Sequence, residues 1–515
     1  MFSNRFMGKK LLRANLPSRV AHKWLLVASV SLLGFAVGCG GSSGPSVPVT
    51  GNFSNSSLSG SYAYHLNGIN TNGQYAEAGV FTADGNGNIT SGVDDLNQLG
   101  NQAGFSPGFP ITGRYTIGKD GNGTILFTLT SLQPPNTFQV SITMVSTSQL
   151  YMTEADTFAN ASGEANQQDT SAFSAPPTGT FAFRLHDVGS TSSASLLGAT
   201  TFSGTGLSGT LDELRGGALD QNVAISASSV QAPDSTGRGT FSFTDSLNIT
   251  GTYVYYVINS STVELLQQDA NHLAIGRMEK QSGGPYKLSG NYVFGSQGDT
   301  STILGVRSAG GFTSDGTSQI TGGAYDSVQD GNQIVNQPFT GSFTQTSNGR
   351  IAVTLNPNGG SPISEVFWMV NSGRAFFLVN DSSKVEDGTM DQQQSMTFAN
   401  GSLTGQYAFG NDGFFFQSSF PFLTRVGTFI PDGNGNVKLN ETTNSFDLSQ
   451  GGAVGSVVVG GTYTVGAPGR ATVTLAGSQG NINLVLYMLS PSAAYVIEND
   501  SGTEIGGKMA IQVSP

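Results

Sequence analysis

The sequence predicts an all-β protein of four tandem antiparallel meander units, with about eight strands in each unit. First, 71 of the 515 residues are glycine, only 11% are charged and 10% are aromatic, which suits short strands joined by tight turns. Second, one order of strands and turns recurs four times along the chain. Third, Asp-Gly and Asn-Gly hairpin signals join the strands without a long crossover. The aromatic content also excludes a disordered chain.

Each repeat opens with a short motif, L-[ST]-G-x-Y-x-[YF], which is clear in copies one, three and four and looser in copy two. Its glycines are Gly60, Gly179, Gly290 and Gly405, which gives a period of about 115 residues. The two aromatic residues of the motif alternate along a strand and therefore face the same side, which we expect to be the core. The pairs are Tyr62/Tyr64, Phe181/Phe183, Tyr292/Phe294 and Tyr407/Phe409.

The rest of each copy keeps one order of elements. A G-x-F strand enters a turn, a middle pair of strands follows, and a strongly apolar hairpin leads to a short closing strand. The second copy departs most, because it lacks the G-x-Y that precedes the middle strands elsewhere. We expect the repeat units to span 58–170, 171–282, 283–396 and 397–515.

Eight strands joined by successive hairpins can close on themselves and so eliminate exposed sheet edges, which favours up-and-down β-barrels. Two alternatives remain at this point. Each unit could be an eight-stranded sandwich, or it could supply two blades to an eight-bladed propeller, since part of the strand pattern recurs within copies one and four. Beyond the N-terminal segment, no stretch has convincing helical periodicity.

The N-terminus predicts export. Residues 24–38 form an apolar run behind a basic segment, and at about 15 residues the run is too short to span a bilayer as a helix, so we expect a signal peptide over 1–38. The run ends Ala36-Val37-Gly38-Cys39, which resembles the lipobox of bacterial lipoproteins, although members of that family usually have Leu where this chain has Ala36. This resemblance implies lipid attachment at Cys39.

Two observations favour the lipid anchor over a soluble secreted protein with a free thiol. Cys39 is the only cysteine of the chain, so it cannot form an internal disulfide. The Gly/Ser/Pro-rich segment 39–57 suits a flexible tether. Gly40 after the cysteine, by resemblance to lipoprotein sorting in Gram-negative bacteria, implies the outer membrane. Translation could begin at Met1 or at Met7.

The charge balance excludes one class of partner. Six of the 22 basic residues, and no acidic residue, precede Cys39, so 16 basic residues face 34 acidic residues in the remainder. A surface this negative repels phosphate backbones, and we therefore expect no nucleic-acid partner. Anionic lipid headgroups are disfavoured for the same reason, so attachment to a membrane would depend on the covalent anchor.

The G-x-[YF] that opens each copy resembles the G-x-W that begins the first strand of lipocalins and avidins, with Tyr or Phe in place of Trp. This resemblance covers only a few residues of each copy and implies a barrel. The repeats as a whole resemble β-rich repeat lipoproteins of environmental bacteria, which implies location rather than activity.

Two segments, 84–88 and 432–436, have the sequence DGNGN, which invites comparison with calcium loops. They fail the EF-hand pattern, because Ile89 and Val437 stand where it requires glycine and no helix flanks either segment. We expect hairpin turns, with a weak calcium site as the alternative.

Aspartates recur at two places in the copies. Asp156, Asp269, Asp381 and Asp500 end the apolar hairpin in all four copies, and Asp94, Asp212 and Asp326 follow the first turn in three. Recurrence favours a structural role, such as accepting hydrogen bonds from turn amides. The pairs Glu154/Asp156 and Glu498/Asp500 could suggest a carbohydrate hydrolase, but no other feature supports it.

Catalytic and metal motifs are otherwise lacking in the sequence. His65, His186 and His272 are the only histidines after the signal peptide, and none has ligand spacing to another. We therefore expect no catalytic, cofactor-binding or metal-binding residue. The sequence favours a non-enzymatic, lipid-anchored envelope protein for surface binding, adhesion or structure, with a glycan, a cell surface or a small apolar ligand as possible partner. The alternatives are a carrier of small apolar ligands inside lipocalin-like barrels and, less favoured, a secreted hydrolase.

Overall fold

The protein is described here by a computed structural model. It describes residues 51–99, 106–132, 136–157, 159–189, 193–269, 271–300, 305–415, 422–447, 451–477 and 480–515. The predicted signal peptide, Cys39 and most of the predicted tether lie outside the described residues.

The described residues form four closed eight-stranded barrels, which confirms the predicted all-β fold class, and the sandwich and propeller alternatives are wrong. Barrel 1 contains β1 (Ser59–Asn70), β2 (Gly73–Asp84), β3 (Asn88–Gln98), β4 (Ser106–Ile117), β5 (Asn122–Leu129), β6 (Asn136–Ser146), β7 (Gln149–Glu154) and β8 (Ala159–Gln167). Barrel 2 contains β9 (Gly179–Gly189), β10 (Ala194–Ser203), β11 (Gly206–Arg215), β12 (Ala218–Gln231), β13 (Arg238–Asp245), β14 (Thr250–Asn259), β15 (Thr262–Gln267) and β16 (His272–Lys280).

The C-terminal half repeats this plan. Barrel 3 contains β17 (Ser289–Thr300), β18 (Gly305–Asp315), β19 (Gln319–Gln329), β20 (Asn332–Gln345), β21 (Arg350–Pro357), β22 (Ile363–Asn371), β23 (Arg374–Asp381) and β24 (Lys384–Gln392). Barrel 4 contains β25 (Tyr407–Phe415), β26 (Phe422–Pro431), β27 (Asn436–Asp447), β28 (Gly451–Val465), β29 (Arg470–Gly477), β30 (Gly480–Ser490), β31 (Ala493–Glu498) and β32 (Thr503–Ile511). Short 3₁₀ helices lie at Asn55–Ser57, Thr170–Ser174 and Asn400–Ser402.

Every barrel is an antiparallel meander whose first and last strands pair to close it. Because neighbouring residues of a strand face opposite sides, each strand supplies one set of side chains to the barrel interior and another to its outside. The interiors hold four separate hydrophobic cores, one in each barrel. No helix in the described part of the chain is long and apolar enough to cross a membrane.

The four barrels form a closed ring. Strand β2 of barrel 1 packs on β15 and β16 of barrel 2, and β9 and β10 of barrel 2 pack on β22, β23 and β24 of barrel 3. Strands β17 and β18 of barrel 3 pack on β30, β31 and β32, and β25 and β26 of barrel 4 return to β6, β7 and β8 of barrel 1. Each barrel therefore presents its first strands to late strands of the next, and the fourth contact joins the two ends of the repeat array.

Candidate functional site: the axial pocket

A glutamine directly after the closing strand of each barrel fastens that barrel to the next. Its Nε2 donates to two backbone carbonyls of the neighbouring barrel, at 2.7–3.3 Å. The last of these residues, Gln512, donates to the carbonyls of Asp120 and Met144 in barrel 1 and so closes the ring. The four glutamines are Gln168, Gln281, Gln393 and Gln512.

Three of the four interfaces also contain a buried ion pair joined by an aromatic donor. At the interface of barrels 2 and 3, Arg350 Nε lies 2.8 Å from Asp212 Oδ2, and Trp368 Nε1 donates to the same oxygen at 2.7 Å. The equivalent groups are Asp95, Arg238 and Tyr256 between barrels 1 and 2, and Asp326, Arg470 and Tyr487 between barrels 3 and 4.

The closing interface has no such ion pair at the equivalent described positions. Thr442 stands in the place of the aspartate, and Asn122 and Thr143 stand in the places of the arginine and the aromatic residue. Its apolar cluster is also small, with four buried residues against ten between barrels 1 and 2. The contact between the two ends of the array therefore depends on hydrogen bonds, two of which are accepted by the carboxylates of Asp412 and Asp120.

A pocket of about 240 Å³ lies between the four barrels and is lined by residues of all of them. Each barrel supplies a row of three cross-strand neighbours, from its first, last and penultimate strands, which we call its axial row. The axial rows are His65–Glu164–Tyr151 in barrel 1, Arg184–Arg277–Glu264 in barrel 2, Gly295–Thr389–Phe376 in barrel 3 and Gly410–Lys508–Tyr495 in barrel 4.

The axial rows differ between barrels although the positions beside them repeat. The first-strand residue just before each row is Tyr64, Phe183, Phe294 or Phe409, and all four pack in a barrel core. The row positions themselves carry acids, bases, aromatic rings and glycine. The pocket is therefore one place where the four copies differ chemically, as is the closing interface.

Neighbouring rows fit each other at the barrel interfaces. A Cβ at Gly295 would lie 2.4 Å from Tyr495 Cδ1, so the absence of a side chain admits this ring from barrel 4. Gly410 lies against Tyr151 of barrel 1 in the same manner. Between barrels 1 and 2, where the row of barrel 2 has an acid instead of a ring, His65 lies 3.6 Å from Glu264.

The arginines that line the pocket are held by carboxylates. Arg184 pairs with Asp387 at 3.2 Å, and Arg307 pairs with Asp412 at 2.6 Å. Arg374 contacts both Glu279 and Asp391, and Arg277 contacts both Glu164 and Glu264. Most of these pairs join different barrels, so they orient the arginines and brace the ring at once.

The charges around the pocket shift the pKa values of neighbouring groups. Burial would raise the pKa of Glu164, but the positive charges of Arg277, His65 and Lys508 hold it below its usual range. His186, just outside the pocket, is buried between Asp387 and Asp299, at 2.6 and 3.0 Å, and these carboxylates raise its pKa to about 10 against the opposing effect of burial. His186 is therefore cationic at neutral pH.

Lys508 differs from the other cations of the pocket. It is exposed to the pocket and has no ion pair among the described residues; its Nζ lies 5.6 Å from the centre of the Tyr495 ring. The surrounding barrels reduce its contact with bulk water, and this partial desolvation lowers its pKa, as does the charge of Arg374. A negatively charged group in the pocket would oppose both effects on the pKa of Lys508.

The predicted core and turn residues lie where the sequence placed them. The aromatic pairs that open the repeats pack in the barrel cores, although Phe294 is only partly buried. Both DGNGN segments are hairpin turns, in which Asp84 Oδ1 and Asp432 Oδ1 accept backbone hydrogen bonds. The aspartates that end the apolar hairpins accept amides of nearby residues, as predicted: Asp156 from Ala159, Asp269 from Asn271, Asp381 from Ser383 and Asp500 from Asn483.

The assignment of the second set of aspartates was wrong in barrel 1. Asp95, and not Asp94, is equivalent to Asp212 and Asp326, because Asp95 pairs with Ala78 on β2 as those residues pair with Leu197 and Ala309. Asp95 follows the turn residue Asp84 by the same eleven residues by which Asp326 follows Asp315, and the hairpins of both barrels contain the same β-bulge. Beyond accepting local backbone amides, the three aspartates bind arginines of the next barrel, a role that sequence reasoning missed.

Asp94 instead points into barrel 1, where it accepts a hydrogen bond from Tyr64 at 2.8 Å. It lies with Glu77 and Glu154 in the barrel interior, and burial raises the pKa of all three, that of Asp94 to about 7. In barrel 4 the equivalent positions hold Arg425, Glu441 and Glu498, so a cation there faces the two acids. Glu154 and Glu498, the acids of the hydrolase alternative, thus have different partners in the two barrels.

The barrel interiors are filled by side chains. The spaces identified inside barrels 3 and 4 have volumes of about 10 Å³ each, enough for roughly one water molecule. Several hundred Å³ would be needed for a lipocalin-like ligand. The packing gives the apolar-carrier alternative no support.

No family model and no curated protein sequence matches the chain. Among solved structures, it is similar to the crystal structure of a double mutant of the vaccine antigen transferrin binding protein B from Haemophilus parasuis Hp5. The identity is 10%, the match covers 71% of this chain and 83% of that chain, and the TM-score is 0.20. At this TM-score the likeness does not bear on the function of this chain.

Proposed function

We propose that the chain is a lipid-anchored binding protein of the cell envelope, without catalytic activity, and that the axial pocket is its binding site. The observation that carries this proposal is the contrast between repeated and divergent positions. The glutamine fasteners and core aromatics recur in all four copies, whereas the axial rows do not. Selection for binding at one shared site would produce this contrast.

The pocket depends on the complete ring. Its lining comes from four barrels, so one barrel alone supplies only one wall. Four tethered barrels would then act as a single binding unit, in place of the four separate contacts that tandem modules can offer. The expected boundaries at 170, 282 and 396 would accordingly separate four barrels, but the binding unit would be the complete ring.

The proposed location depends on the N-terminus. Acylation of Cys39 and the segment 39–57 would hold the ring off a membrane, with the outer membrane of a Gram-negative cell as the expected site. Mass spectrometry of the mature N-terminus tests this part. We expect a chain that begins at acylated Cys39, and an unmodified cysteine there would refute the anchor.

Binding is tested on the full chain with a screen of glycans and cell-surface extracts. The variant Asn67→Trp introduces a large side chain at a residue that lines the pocket, and Lys438→Met, at an exposed position of β27, serves as the control. We expect Asn67→Trp to abolish the binding that the unmodified chain and the control show. Equal binding by both variants would place the binding site elsewhere.

A further inference from the structure

We propose that the axial pocket binds a small hydroxylated molecule carrying one carboxylate, such as a uronic acid, and that Lys508 receives this carboxylate. This inference rests on the proposed function of the pocket.

Most arginines of the lining are more exposed than their carboxylate partners, although Glu164, Glu264 and Asp412 also line the pocket. The side chains of Arg277 and Arg374 are each 24% exposed, whereas Glu264 is 2% exposed. Arg184 is 22% exposed and its partner Asp387 is fully buried. Asp412 is the most open acid, at 23%. A ligand would therefore meet a mainly cationic surface, in a protein whose net charge is −12.

A carboxylate partner for Lys508 is what this surface lacks. The four lining arginines already have carboxylate partners, and Lys508 is the lining cation without an ion pair among the described residues. The six carboxylates that contact the four arginines would repel a dianion such as a phosphate monoester more strongly than a monoanion. A single carboxylate would give Lys508 a charge-assisted hydrogen bond at a smaller cost in repulsion.

Free amides elsewhere on the lining indicate the rest of the ligand. Asn67 and Gln297 line the pocket from barrels 1 and 3, and neither side chain has a hydrogen bond among the described residues. An amide both donates and accepts, which suits hydroxyl groups. A cavity of about 240 Å³ is smaller than the usual site for drug-sized molecules and fits a compact ligand.

Isothermal titration calorimetry of the full chain with sodium glucuronate tests the inference. We expect one molecule to bind per chain. Lys508→Met keeps most of the side-chain length but removes the charge, and it is expected to weaken binding by about tenfold to a hundredfold, the range for a lost hydrogen bond to a charged group. Lys438→Met removes a lysine from the exposed surface of the same barrel and should leave binding unchanged.

The outcomes separate this inference from the proposed function. Glucuronate binding that Lys508→Met does not weaken, or glucose binding as tightly as glucuronate, would overturn the role of the carboxylate. So would the absence of glucuronate binding. In each of these cases the proposed function survives if Asn67→Trp abolishes binding in the screen, and it falls with the inference if Asn67→Trp has no effect.

Discussion

Replacing Arg350 by methionine is expected to destabilise the interface of barrels 2 and 3 by about 3–5 kcal/mol, because it leaves a buried carboxylate without its cation. Asp212 is fully buried, and Arg350 contacts it through Nε and Nη2 at 2.8–3.0 Å. After the substitution, Asp212 would keep neutral donors, the indole of Trp368 and the amide of Asn222. Neutral donors offset only part of the cost of burying a charge.

A double-mutant cycle isolates the charge. Asp212→Asn combined with Arg350→Met removes both charges and keeps an acceptor for Trp368, so the pair should cost less than Arg350→Met alone. Arg114→Met is the control, since Arg114 is exposed on β4 and has no ion pair among the described residues; its effect should stay within about 0.5 kcal/mol.

The assay is urea unfolding followed by the fluorescence of Trp368. The chain has two tryptophans, and the other, Trp24, lies in the predicted signal peptide, so the signal of the mature protein reports this interface. The free energy of unfolding from the Trp368 transition gives the cost of each variant. A cost below about 1 kcal/mol for Arg350→Met, or a double variant that costs as much as the two single variants together, would refute the reasoning.

Three further predictions address the ring and one barrel interior. Gln512→Leu should destabilise the closing interface by about 1–3 kcal/mol, because it leaves two backbone carbonyls without a donor. Backbone amides at this interface should then exchange their hydrogens faster, and unchanged exchange would contradict the prediction. Gly295→Ala should cost about 1–3 kcal/mol through its clash with an adjacent ring, whereas Gly322→Ala, whose Cβ meets open space, should be nearly neutral in thermal unfolding. The raised pKa values of Glu77 and Asp94 mean that the folded chain binds their protons more tightly than the unfolded chain does, so the free energy of unfolding should fall as pH rises from about 4 towards 7. The double variant Glu77→Gln/Asp94→Asn should flatten this pH dependence. An unchanged pH dependence would assign it to other groups.

The barrels could be predicted because their signals are local. Hairpin turns such as 84–88 and alternating aromatics such as Tyr62 and Tyr64 specify strands, faces and connections within a few residues. Four copies of these signals also identified the repeat. Closure of each meander then followed from the cost of exposed sheet edges.

The ring could not be predicted, because it depends on outward-facing residues that resemble ordinary surface positions in the sequence. Asp212 and Arg350 are 138 residues apart, and nothing local pairs them. In barrel 1 two adjacent aspartates, Asp94 and Asp95, also made the recurring interface aspartate ambiguous in the sequence. One signal was present in the sequence, because a glutamine follows the closing strand of every copy. Gln512 follows the last copy, where an open array would have no next barrel for it to bind, and it therefore indicates a cyclic arrangement.

The return of barrel 4 to barrel 1 is the feature on which the axial pocket depends, and a disulfide across this interface tests it directly. The hydroxyls of Thr153 and Thr424 are in contact and buried there, one from each barrel. In a Cys39→Ser background, Thr153→Cys/Thr424→Cys should form an intramolecular disulfide that increases mobility on a non-reducing gel, while Thr153→Cys/Lys438→Cys should not. Failure of the first pair to cross-link, with both thiols reactive after unfolding, would contradict a closed ring.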